Sequence, residues 1–249
     1  MDVHRHEAPA KGGPPQAQSP PDRPDAAGAR EPILNAAWPV VVISAGLLAL
    51  YLVQTYLPAD QVQAAFGFSP RLLAQGHYER LITATLVHGA WAHVMIDAGM
   101  ALAFGALVAD VMGVRIRGAI TYIAFFITCG AVGWLFFAAV RWGHPGLALG
   151  ASGATSGLMG AAARIVGGEG RIGPMFSPAV LRMGAGWFGI NLMMAFSGDL
   201  LIPGKAYAVV GWQPHVAGFV AGVLLVGVFA RLAGEGDDAF APKAPVTRA

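Results

Sequence analysis

The sequence predicts an all-α membrane protein: a bundle of six transmembrane helices carrying disordered polar termini. Three observations lead there. Of 249 residues, 55% are hydrophobic and 12% charged, about half the ~25% charged share of soluble domains. Mean hydropathy is +0.56, and a soluble fold of this size would have too few charges to cover its surface. Long charge-free runs recur along the chain, and spans of about 20 residues fit six times into its length.

Residues 1–31 carry repeated prolines, mixed charges and almost no large apolar side chains. Such a segment cannot bury enough surface to offset its ordering entropy, so it is expected to be a disordered tail. Residues 32–232 form the membrane domain, and 233–249 a second short polar tail. No charge occurs from Pro32 to Ala59, which predicts a first helix at 38–57, ended by Pro58 and Asp60. Residues 58–80 mix Phe66, Phe68, Leu72 and Leu73 with Arg71, Glu79 and Arg80, as suits a segment lying in the interface. A second span is expected at 83–108, a third between Arg117 and Arg141, and a fourth from Ser152 to Ile165. A fifth fits 179–200 and a sixth 213–231.

Six spans put both chain ends on one side. That side holds twelve Lys and Arg: four in the N-tail, two in the second loop, three in the fourth-loop region (Arg164, Arg171, Arg182) and three at the C-terminus. The other side holds four: Arg71, Arg80, Arg141 and Lys205. Basic residues accumulate on the cytoplasmic side, so both termini are expected in the cytoplasm, with the bacterial inner membrane as the setting. A net charge of +2 and the lack of a basic, aromatic-interleaved stripe exclude nucleic acid as a partner. The single cysteine, Cys129, excludes a disulfide framework or thiolate zinc site and is expected to be buried and inert.

Ionisable groups at membrane depth are costly and mark functional sites by default. Here they are His88, His93 and Asp97 on the second span and His215 at the start of the sixth. The second span enters from the outer side, and the fourth and sixth begin there, so His93, Ser152 and His215 share one depth. Within Gly150-Ala151-Ser152-Gly153 the serine opens a helix, with its hydroxyl exposed and its N–H unpaired. It can therefore serve as nucleophile and oxyanion donor together. The plain alternative is a packing face, because Gly153-xxx-Gly157 lets a neighbouring helix approach. His215 lies one turn outside a second such face, Gly218-xxx-Gly222. Two small faces in contact would bring Ser152 Oγ within hydrogen-bond reach of the His215 ring, as a Ser–His dyad requires.

A metal site at His88, His93, Asp97 and His215 is the weaker reading. Offsets of five and four residues turn a helix by about 140° and 40°, so His93 and Asp97 share a face while His88 points elsewhere. No His-Glu-x-x-His pair is present, and no metal or other cofactor is expected. A transporter ranks lower, without broken helices in matching halves.

From Tyr78 to Ala230 the chain resembles the rhomboid family of intramembrane serine proteases. The resemblance is carried by Tyr78-Glu79-Arg80, Leu86-Val87-His88-Gly89-Ala90-Trp91-Ala92-His93, Gly150-Ala151-Ser152-Gly153, and His215-Val216-Ala217-Gly218 with Gly222. It implies Ser152 as nucleophile, His215 as general base with no carboxylate to orient it, and His93 stabilising the oxyanion beside the Ser152 N–H. It also implies substrates that are single-span membrane proteins cut near the outer face. Two positions depart from the family pattern. Asp97 stands where an oxyanion-binding Asn is usual, and an ionised carboxylate only accepts hydrogen bonds. Asp97 could donate if protonated, could orient His93, or could leave the oxyanion hole weaker. Ser156 replaces a Tyr that packs against the base, leaving His215 less firmly held. The alternative is a rhomboid-like pseudoprotease that binds transmembrane helices without cutting them; the presence of both Ser152 and His215 speaks against it. The fifth span acts as the substrate gate in the family, with no specific gating residue matched here.

Overall fold

The computed structural model describes Met1 and residues 37–143, 145–201 and 211–234. Residues 2–31 and 235–249 of the expected disordered tails, and Lys205, lie outside the described residues. Among those described there are nine α-helices and no strand beyond isolated bridges such as Phe68 with Ala148.

Helix α1 (Trp38–Gln54) is uncharged and largely apolar and starts with Pro39 in its first turn, where a missing N–H costs nothing. The expected interfacial connection forms two short helices, α2 (Ala59–Phe66) and α3 (Pro70–Ala74). Ser69 caps α3 by accepting the Leu72 N–H at 3.1 Å.

The second span is not continuous as expected. It divides into α4 (Arg80–Leu86) and α5 (Trp91–Met112). Val87 and Ala90 are extended, and Gly89 lies between them. The side chain of Gln54 clasps this break, donating to Leu86 O at 3.1 Å and accepting the His88 N–H at 3.2 Å.

Helix α6 (Ile116–Val140) is the longest, α7 (Ser152–Val166) is short, and α8 (Pro178–Leu201) and α9 (Trp212–Ala233) follow. Within α5, α6, α8 and α9, four stretches are long and apolar enough to cross a membrane: Trp91–Met112, Ile116–Val140, Pro178–Phe196 and Trp212–Ala233.

Helix α7 is the axis of the bundle. Every residue from Gly153 to Ile165 is buried, and α7 packs against α5, α6 and α9. Its Gly, Ala, Ser and Thr content permits this, because small side chains let backbones close in from several sides. A Cβ on Gly218 would fall on the carbonyl of Gly153, and one on Gly222 on the carbonyl of Gly157. The two glycine faces anticipated from the sequence therefore meet each other. On a further side a Cβ at Gly157 would overlap Cys129 of α6, and Cys129 is buried.

Arg164, counted above among the basic residues at the fourth loop, falls in the last turn of α7, inside the expected span, and is buried. Its guanidinium donates to Gly173 O at 3.0 Å and to Val223 O at 2.8 Å. The long side chain carries its charge to backbone carbonyls that a buried cation needs.

Candidate active site

Ser152 is the first residue of α7, after Ala151. The first N–H groups of a helix have no intrahelical acceptor, so the Ser152 N–H is not used within α7. The chain reaches Ser152 through Gly150, whose φ of +120° is open to glycine and costly for L side chains. A Cβ at Gly150 would also lie 2.6 Å from His93 Nε2. Glycine is thus required there twice, by backbone conformation and by the imidazole lying against it.

His215 sits in the first turn of α9, after Pro214. Its Nε2 is 2.8 Å from Ser152 Oγ. The close α7–α9 contact makes that possible: a Cβ at Gly153 would lie 3.3 Å from Pro214 O, so one turn of each helix abuts the other beside the pair.

The other face of His215 is held by α8, which sequence reasoning missed. Asn191 Oδ1 lies 2.6 Å from His215 Nδ1, and Asn191 Nδ2 donates to Trp187 O at 2.8 Å. The Trp187 ring tilts over the imidazole, with centroids 5.8 Å apart. Asn191 is 1% exposed. A signal for it existed: a polar amide within a largely apolar span is costly to bury unless it is hydrogen-bonded. Ser156, expected to leave the base loosely held, spends its hydroxyl on Ser152 O at 2.6 Å. His215 is instead held by Asn191 and Trp187 of α8.

Asp97 and the two remaining histidines form a second cluster behind Ser152. Asp97 Oδ2 accepts the Ala151 N–H at 2.9 Å and lies 3.1 Å from His88 Nε2 and 3.6 Å from His93 Nε2. His88 Nε2 is also 3.3 Å from the Ala151 nitrogen. The expectation that His88 points elsewhere is corrected here. It rested on a continuous helix, and His88 instead lies in the α4–α5 break, which turns its side chain inward. The side chains of His88 and Asp97 are 0% and 1% exposed, that of His93 35%. His93 is therefore the member open to a bound molecule. Among the described residues no group of three His, Cys, Asp or Glu has the disposition of a metal site.

A serine hydroxyl hydrogen-bonded to an imidazole thus lies at the mouth of a buried helix in an apolar, membrane-type helical bundle. The family model for the Rhomboid domain matches residues 75–232. The chain belongs to the rhomboid family. Comparison with curated proteins gives no match.

Proposed function

We propose that this protein is an intramembrane serine endopeptidase in which Ser152 and His215 form the catalytic dyad. The observation that carries the reading is the 2.8 Å contact between Ser152 Oγ and His215 Nε2, in a bundle whose described residues are built for lipid. Proton transfer requires that reach. His215 takes the Ser152 proton as Oγ attacks the scissile carbonyl, then returns it to the leaving amine. Water repeats the cycle to release the acyl group. The Ser152 N–H and the accessible ring of His93 serve the oxyanion. Asp97, engaged with Ala151 and the histidines, fits the orienting one of its three possible roles.

The membrane domain spans 32–232, with α1, α5, α6, α7, α8 and α9 as its six crossings. The substrates are single-span membrane proteins. A helical substrate hides its carbonyls, so it must unwind locally before Ser152 can attack. The setting is a bacterial inner membrane with both termini cytoplasmic.

Ser152→Ala is expected to abolish cleavage of a model transmembrane substrate by the full chain while leaving its thermal unfolding unchanged. A fluorophosphonate should label the wild type but neither Ser152→Ala nor His215→Ala. Undiminished cleavage by Ser152→Ala sinks the proposal, and absence of labelling in the wild type favours the helix-binding pseudoprotease.

A further inference from the structure

We propose that Asn191 is the positioning residue of the base: its side-chain oxygen accepts the Nδ1–H of His215 and fixes the ring tautomer whose Nε2 lone pair faces Ser152. The inference rests on the protease reading for what the base does, but the tautomer itself is measurable without turnover.

The argument runs outward from a backbone carbonyl. Trp187 O can only accept, and the Asn191 side chain reaches it at 2.8 Å, so the amide nitrogen must face Trp187. The amide oxygen then faces His215 Nδ1 at 2.6 Å. An oxygen without a proton demands a donor opposite it, so Nδ1 carries the hydrogen. In a neutral imidazole the other nitrogen is then the acceptor, and that nitrogen is 2.8 Å from Ser152 Oγ. The reversed tautomer would set an Nδ1 lone pair against the amide oxygen in a buried site, where two unpaired acceptors are costly. Asn191 and His215 are both buried, so water does not substitute for the amide. The Trp187 ring over the imidazole restricts rotation about the same axis. One helix, α8, thus supplies both constraints on a base carried by α9.

The test uses the full chain in bilayers, with kcat and KM measured separately on a model transmembrane substrate. It is paired with nitrogen-15 spectra of labelled histidine, the His215 signals being assigned with His215→Ala. Asn191→Leu keeps the approximate volume and removes the acceptor, Asn191→Ala is the second apolar variant, and Asn191→Asp keeps an acceptor. The wild type is expected to show His215 protonated at Nδ1, and the apolar variants a shift towards protonated Nε2. Their kcat should fall about 10- to 100-fold, a part of the ~10²–10⁴-fold that a positioned base contributes, with KM little changed. Asn191→Asp should recover most of that loss. The inference is overturned by a wild type protonated at Nε2, by apolar variants that keep the wild-type tautomer and kcat, or by Asn191→Asp losing as much kcat as Asn191→Leu. A wild type with the expected tautomer, lost in Asn191→Leu, but with neither cleavage nor fluorophosphonate labelling would uphold the positioning and sink the protease reading alone.

Discussion

Asp97 holds the segment that delivers the serine. Its carboxylate accepts the N–H of Ala151, the residue just before Ser152, and pairs with a buried His88. Removing it would leave the buried Ala151 N–H only the longer 3.3 Å contact with His88 Nε2, and a poorly satisfied buried polar group costs up to about 1–3 kcal/mol. Asp97→Ala is therefore expected to lower the unfolding temperature and to slow cleavage. Asp97→Asn keeps an oxygen for the Ala151 N–H and should lose less than half as much stability. Thermal unfolding in detergent checks both, and an Asp97→Ala variant as stable as the wild type would show the contact to be unimportant. The pairing of His93 with Asp97 was legible in the sequence, because four residues within one helix share a face. The inward turn of His88 was not, because it depends on where the helix breaks. Nor was the grip of Asn191 on His215, a contact between residues 24 apart on two helices whose relative rotation no local pattern encodes.

The pairing of α7 with α9 sets the distance on which the chemistry depends. Gly222 meets the carbonyl of Gly157 at the point where its own Cβ would stand, so any side chain there must push the helices apart. Overfilling a packed site costs about 1–3 kcal/mol, and here the obstacle is backbone, which does not rotate away. Gly222→Ala is expected to destabilise the protein and to reduce fluorophosphonate labelling by separating Ser152 from His215. Gly186 and Gly189 of α8 have nothing within 4 Å of an added Cβ. Alanine at either gains about 0.8–1.0 kcal/mol of helix propensity over glycine and should be neutral or stabilising. Equal effects at Gly222 and Gly189 in thermal unfolding would contradict this account. The apolar elements were legible because charge-free runs are a one-dimensional signal, and the small-residue spacing marked the two faces that meet. The break at Val87–Ala90 was harder to see: Gly89 alone weakens the helix locally, and the break is held open from α1 by Gln54. The burial of Arg164 was not legible for a related reason, since its charge is satisfied by the carbonyls of Gly173 and Val223, one of them on another helix.

Across the whole molecule, side-chain contacts sort the helix ends into two groups. The start of α1 is tied to the α5–α6 connection by Trp38 Nε1 donating to Val114 O at 2.9 Å. The end of α9 is tied to the same region by Arg117 Nε donating to Leu232 O at 2.8 Å. Both ends of the helical domain therefore sit at one end of the bundle. Ser152, His215 and the His88 break clasped by Gln54 gather at the other. Arg115, Arg117 and Arg231 flank the first end, whereas the dyad end carries Arg71, Arg80 and Arg141 in its connections. The sequence adds further Lys and Arg beyond both helix ends, and a basic excess next to membrane-spanning helices directs a segment to the cytoplasm. The dyad end should therefore face out. Tyr78 is exposed at the dyad end and Val114 at the other, and the native Cys129 is buried, so single cysteines report each side without interference. A membrane-impermeant maleimide applied to intact cells is expected to label Tyr78→Cys, and to label Val114→Cys only after permeabilisation. The reverse pattern would place Ser152 towards the cytoplasm and with it any cleavage, whatever the chemistry of the dyad.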